Sequence, residues 1–85
     1  MTVWFENARG DMRQIASCDN LEKAYLAIYN FVDKANAAKG PGEAPFRVYY
    51  VRHWEDETTG MTKVDVGSWN EFFYIETEEG ETVNE

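Results

Sequence analysis

Across residues 2–7 the side chains alternate, with Val3 and Phe5 on one side and Thr2, Trp4 and Glu6 on the other. A period of two predicts a strand. Asn7-Ala8-Arg9-Gly10-Asp11 then supplies a turn, with Gly10 able to take a positive φ. Residues 12–17 return as a shorter strand whose alternation is weak, which leaves its register open. The period then changes. Leu21, Ala24, Tyr25, Ile28, Tyr29, Phe31, Val32 and Ala35 fall in one arc of a helical wheel, opposite Glu22, Lys23, Asn30, Asp33 and Lys34. Leu26 lies outside that arc. Asp19 is a natural N-cap and Glu22 follows it at capping-box spacing. Gly40 is placed to end the helix, and Pro41 and Pro45 keep it from resuming through the loop 39–45.

Period two resumes at residues 46–54, FRVYYVRHW, the segment densest in Val and aromatics. Phe46, Val48, Tyr50, Arg52 and Trp54 fall on one face; Arg47, Tyr49, Val51 and His53 fall on the other. Large side chains on both faces predict a central strand, with His53 on the exposed sheet face. A polar hairpin loop at 55–60 leads to a strand at 61–66, where Thr62, Val64 and Val66 oppose Met61, Lys63 and Asp65. Gly67 breaks the ladder, and residues 72–76 are able to form a last strand.

These elements predict an α+β fold of two layers: one amphipathic helix packed on a four- or five-stranded antiparallel sheet. The order is ββαββ, with the fifth strand optional. Residues 1–76 form a single domain, since a chain of 85 residues has no room for a second core, and residues 77–85 form an acidic, flexible tail. One helix cannot cover such a sheet. Trp4, Trp54, Trp69 or some tyrosines therefore emerge on the open side, where an aromatic patch marks an interface. Homodimerisation through that face is the plainest use of it.

Composition sharpens this picture. Thirteen aromatics offset the small size of the core, and most of them lie in 46–75. The net charge of −8 is uneven, with −5 carried by residues 76–85. That balance disfavours direct binding to duplex nucleic acid, whose affinity comes from Lys and Arg on phosphates. Acids can instead steer a basic partner or imitate a phosphate backbone. No stretch reaches the length of a membrane span and residues 1–11 lack an export signal, so the expected compartment is the cytoplasm. The lone Cys18 fits a reducing compartment, with a reactive thiol at the helix start as the sharper alternative.

Catalytic signatures are missing from the pattern. His53, the one histidine, has neither Cys18 nor a serine at a spacing that builds a triad. One Cys and one His exclude a structural zinc site. Glu55-Asp56-Glu57 lacks EF-hand spacing, and Gly40-Pro41-Gly42 follows a helix instead of opening one, the wrong polarity for a phosphate cradle. No cofactor is expected and the chain reads as non-enzymatic. The candidate binding residues are Arg52, Trp54, Asp65, Ser68, Trp69, Asn70 and Glu71, in which a tight bend brings Trp near Arg. Arg47 and Tyr49, with His53, offer a second surface.

Tyr49-Tyr50-Val51-Arg52 together with Asp65-Val66-Gly67-Ser68-Trp69-Asn70-Glu71-Phe72-Phe73-Tyr74-Ile75 resembles small accessory proteins encoded by phages and prophages of Gram-positive bacteria. There an acidic hairpin is followed by a D-x-G-S-x-x-E-F-F-like ending. The likeness covers about the last half of the chain, with Trp69-Asn70 where a His-Thr-like pair is expected. The resemblance implies a protein that binds and inhibits a bacterial host protein, such as a host-defence or nucleic-acid-binding protein. Two other expectations stand beside it: sequestration of a nucleotide by aromatic and Arg side chains at a dimer interface, and a structural or assembly role.

Overall fold

The computed structural model describes residues 1–77; the acidic tail expected at 77–85 lies outside the described residues except for Thr77. Its elements are β1 (Thr2–Glu6), β2 (Met12–Ser17), α1 (Leu21–Ala37), β3 (Arg52–Asp56), β4 (Met61–Asp65) and β5 (Phe72–Glu76). The strands form one antiparallel sheet in the order β2-β1-β5-β4-β3. The class is α+β, as the periodicity predicts. The element order is ββαβββ, so the fifth strand is integral and the expected ββαββ is corrected. It is also the middle of the sheet, pairing with β1 on one side and β4 on the other. Phe-Phe-Tyr-Ile suits that place, because a central strand buries both faces: Phe73, Tyr74 and Ile75 are all buried.

The expected central strand is corrected in turn. Residues 46–51 form no strand, and β3 begins at Arg52 on the edge of the sheet. Continued in register from Arg52↔Asp65, Val51 would face Val66; instead the Val66 carbonyl accepts from the Tyr49 amide at 3.0 Å. The ladder with β4 ends at Arg52, so residues 46–51 are not held to its alternation. Phe46 and Val48 pack against the core, whereas Arg52 and Trp54, expected on the same face as them, stand on the side of the sheet away from the helix.

The core lies between α1 and the sheet. Ala24, Ile28 and Val32 of the helix meet Val3, Val64, Val66, Phe73 and Ile75, all buried. Phe5, Phe31, Phe46 and Phe73 form a ring cluster with centroids 4.6–6.4 Å apart where they touch. Full burial of such a ring is worth roughly 1.5–3 kcal/mol. Phe46 comes from the connection rather than from the helix or a strand, so the connection helps cover what a single helix leaves open. Asn36 holds it in place: its Oδ1 accepts from the Phe46 amide at 2.6 Å and its Nδ2 donates to the Phe46 carbonyl at 2.8 Å. An amide side chain thereby satisfies both backbone groups of one residue.

Both ends of α1 differ from expectation by a residue or more. The N-cap is Asn20, whose side chain accepts from the Lys23 amide at 2.9 Å, while Asp19 makes an exposed ion pair with Lys23 at 3.4 Å. Either residue type can cap; Asn20 is the one whose extended backbone places its side chain over the first turn. The helix ends at Ala37 with Ala38 as C-cap, before Gly40 is reached. Leu26 is exposed, as its position on the wheel predicts, and Tyr29 is more exposed than its place in the apolar arc suggests. The uncertain register of β2 resolves into an irregularity between Val3/Trp4, where Ile15 is the extra residue. Cys18 is half-buried against the core, and its backbone exchanges hydrogen bonds with Met1.

Candidate functional site

Strand parity puts Trp4 and Glu6 of β1, Phe72, Tyr74 and Glu76 of β5, Lys63 and Asp65 of β4, and Arg52 and Trp54 of β3 on the open face of the sheet. Its middle is not a bare aromatic patch. Tyr74 is buried although, among the described residues, no second layer of secondary structure covers it. The Lys63 ammonium lies 4.1 Å from the Phe72 ring centre and 5.6 Å from that of Tyr74. The Tyr74 hydroxyl donates to Glu6 Oε1 at 3.0 Å, and the Trp4 Nε1–H donates to Glu76 Oε1 at 3.2 Å. Burial pushes the Tyr74 phenol up, and the hydrogen bond to Glu6 with its negative charge pushes it further. The aromatics of this face satisfy its carboxylates, and a lysine roofs the rings.

Exposure concentrates at the β3 end. Trp69 is 97% exposed, Tyr49 72%, and Tyr50 and Trp54 are also open to solvent. The corner that carries Trp69 is built rigidly. Asp65 is buried and accepts from the Gly67 amide at 2.8 Å through Oδ1 and from the Arg52 guanidinium at 2.9 Å through Oδ2. Burial works to raise the Asp65 carboxyl, but the Arg52 and Gly67 hydrogen bonds, with the positive charges of Arg52 and Lys63, hold it below the usual carboxylate range. Gly67 sits at φ 100°, and a Cβ there would lie 2.9 Å from the Tyr49 Cβ. The turn therefore requires glycine twice, for its backbone angle and for the approach of Tyr49. Ser68 Oγ reaches Glu71 Oε1 at 3.4 Å, and Trp69 and Asn70 project between them.

Of the residues singled out in the sequence, Arg52, Trp54 and Asp65 share the open face, with Arg52 bonded to Asp65. Ser68, Trp69, Asn70 and Glu71 form the corner beyond β4, and Tyr49 packs on Gly67 at its base. Arg47 is exposed in the connection. The second surface expected of Arg47, Tyr49 and His53 is corrected. The first two are not in a strand, and His53 faces the helix side, where its Nδ1 lies 2.9 Å from the Tyr25 hydroxyl. Tyr50 joins the site without being among the sequence candidates. Its ring lies 4.9 Å below the Arg52 guanidinium, and its position two residues before Arg52 was the available signal.

Among the described residues no cluster of three or more His, Cys, Asp or Glu is placed to hold a metal ion, and no helix is long and apolar enough to cross a membrane. Comparison with protein-family models, with curated proteins and with solved structures gives no match.

Proposed function

We propose that this chain is a non-enzymatic binding protein of the phage accessory type, which occupies a surface of a bacterial host protein and inhibits it. The contact is made by the Trp69 corner with Tyr49, Tyr50 and Trp54. The observation that carries this reading is the near-complete exposure of Trp69 on a bend anchored by Gly67 and Asp65. A large aromatic held out on a rigid support loses little conformational entropy on binding, and Trp is prominent among the residues that dominate interface energetics. The aromatic corner is a better contact than acidic mimicry, because Glu6 and Glu76 on the open face are already engaged by Tyr74 and Trp4.

The test is quantitative affinity capture from Gram-positive lysate with the tagged full chain and its Trp69→Ala variant, in low and moderate salt. One protein should be captured stoichiometrically by the parent chain and lost with the variant. The two chains should unfold within about 0.5 kcal/mol of each other, since Trp69 contributes almost no burial. Equal capture by both would refute the assignment to this corner. Recovery of a nucleotide that is lost with Arg52→Ala would move the reading to ligand sequestration, and recovery of only the chain itself would move it to assembly.

A further inference from the structure

β3 is an edge strand with no neighbour on its outer side among the described residues, and four of its five residues are exposed. Such edges template pairing with another strand unless something opposes it. The sequence of this edge, Arg52-His53-Trp54-Glu55-Asp56, has basic groups at one end, acidic groups at the other and Trp at the centre. Read antiparallel against itself it is complementary at every position. Arg52 faces Asp56 of a second copy, His53 faces Glu55, Trp54 faces Trp54, and the two-fold axis repeats each pair.

We infer that β3 is a homodimerisation edge, pairing antiparallel with β3 of a second copy about an axis at Trp54 to make one continuous ten-stranded sheet (two of the five-stranded sheet). Sheet parity agrees with the pairing. Arg52, Trp54 and Asp56 lie on the open face and His53 and Glu55 on the helix face, so facing residues come from the same side. Arg52 uses one nitrogen on Asp65, and a guanidinium carries five N–H donors. Asp56 uses Oδ2 on Thr59, and a carboxylate has a second oxygen. Slipping the pairing by two residues parts Arg52 from Asp56 in either direction, and in one of them sets Glu55 against itself. Like charges directly opposite are destabilising, so charge favours this register.

This differs from dimerisation through the sheet face, because the edges meet and the face is extended. It needs no host partner and shares only Trp54 with the binding reading above, so Trp69→Ala, which tests that reading, should leave the dimer unchanged. The net charge of −8 on each copy opposes association at low ionic strength. The measurement therefore belongs near 0.15 M salt, where the screening length is about 8 Å.

Sedimentation of the full chain across roughly 1 µM to 1 mM should show a monomer–dimer equilibrium. Glu55→Lys should weaken it several-fold, and the double variant His53→Glu/Glu55→Lys should restore it by exchanging the charges. In a Cys18→Ala background, Trp54→Cys should form a disulfide-linked dimer with oxidised glutathione about tenfold faster than Met12→Cys on the opposite edge, because directly opposite Cβ atoms lie within disulfide reach. A chain that stays monomeric throughout overturns the inference. So does a dimer indifferent to Glu55→Lys, or one that links through Met12→Cys at least as fast.

Discussion

Among the described glycines, Gly67 is the least substitutable. Its φ of 100° and the 2.9 Å that would separate an added Cβ from Tyr49 act together. Gly67→Ala should cost about 1–3 kcal/mol in urea denaturation, in the range of other residues held in sparsely populated backbone regions. Gly40→Ala is the control: its φ is not positive and nothing lies within 4 Å of an added Cβ, so the substitution should be neutral or stabilising by up to about 1 kcal/mol. Asp65 makes a second residue-scale prediction. Its carboxyl is held below the usual range in the folded chain, so around pH 3–4 the unfolded state binds more protons and stability rises with pH. The contribution is present above the ordinary carboxylate value near 3.8 and is lost as pH falls through the depressed folded value. Asp65→Asn should lower stability at neutral pH while flattening the acid limb of a stability–pH profile. An acid limb as steep as the parent's would show that other carboxylates govern it.

At the scale of elements, the connection between α1 and β3 is held by Asn36 and Phe46. Asn36→Ala leaves the backbone groups of Phe46 without their partners and should cost about 1–3 kcal/mol. Amide exchange at Phe46 should accelerate while the β1–β5 amides keep their protection; uniform acceleration would mean that the connection unfolds only with the whole sheet. This segment also shows how far the elements could be read from the sequence. The helix was legible because Ala24, Ile28 and Val32 recur at its period and are buried. β4 was legible because Thr62 and Val64 alternate with Met61 and Lys63. Residues 46–51 alternate equally well, yet Phe46 must fill the core and Tyr49 must rest on Gly67, and these two demands break the ladder. β5 was undervalued because a strand buried on both faces carries no alternation. Of the candidate site, the Arg52–Asp65 pair and exposed Trp69 lay among residues noted in the sequence. Lys63 over Phe72 could not be read, since it depends on β4 lying beside β5.

For the molecule as a whole, one helix on a five-stranded sheet leaves a face that side chains must cover themselves. Lys63 does so over Phe72 and Tyr74. Lys63→Ala should raise the binding of a hydrophobic dye such as ANS and lower stability by about 0.5–2 kcal/mol through lost ring contact. Lys63→Met, which keeps a long side chain, should recover part of the stability but none of the solubility. If both substitutions leave dye binding unchanged, the rings are screened by something other than Lys63. The polar mesh in the middle of the face also explains why its exposed aromatics gather at the β3 end, away from Tyr74.

The position of β5 has a consequence for how the protein is made. β1 with β2 and β3 with β4 are local hairpins, and they join one sheet only through β5. A ribosome adding roughly 5–20 residues per second needs several seconds to travel from β1 to β5. During that time the nascent chain lacks the strand that joins the two ribbons, and its helix has no completed sheet to pack on. A stop before Phe72 would release that unfinished state, and in the full chain the sheet closes only once β5 has left the ribosome to pair with both β1 and β4.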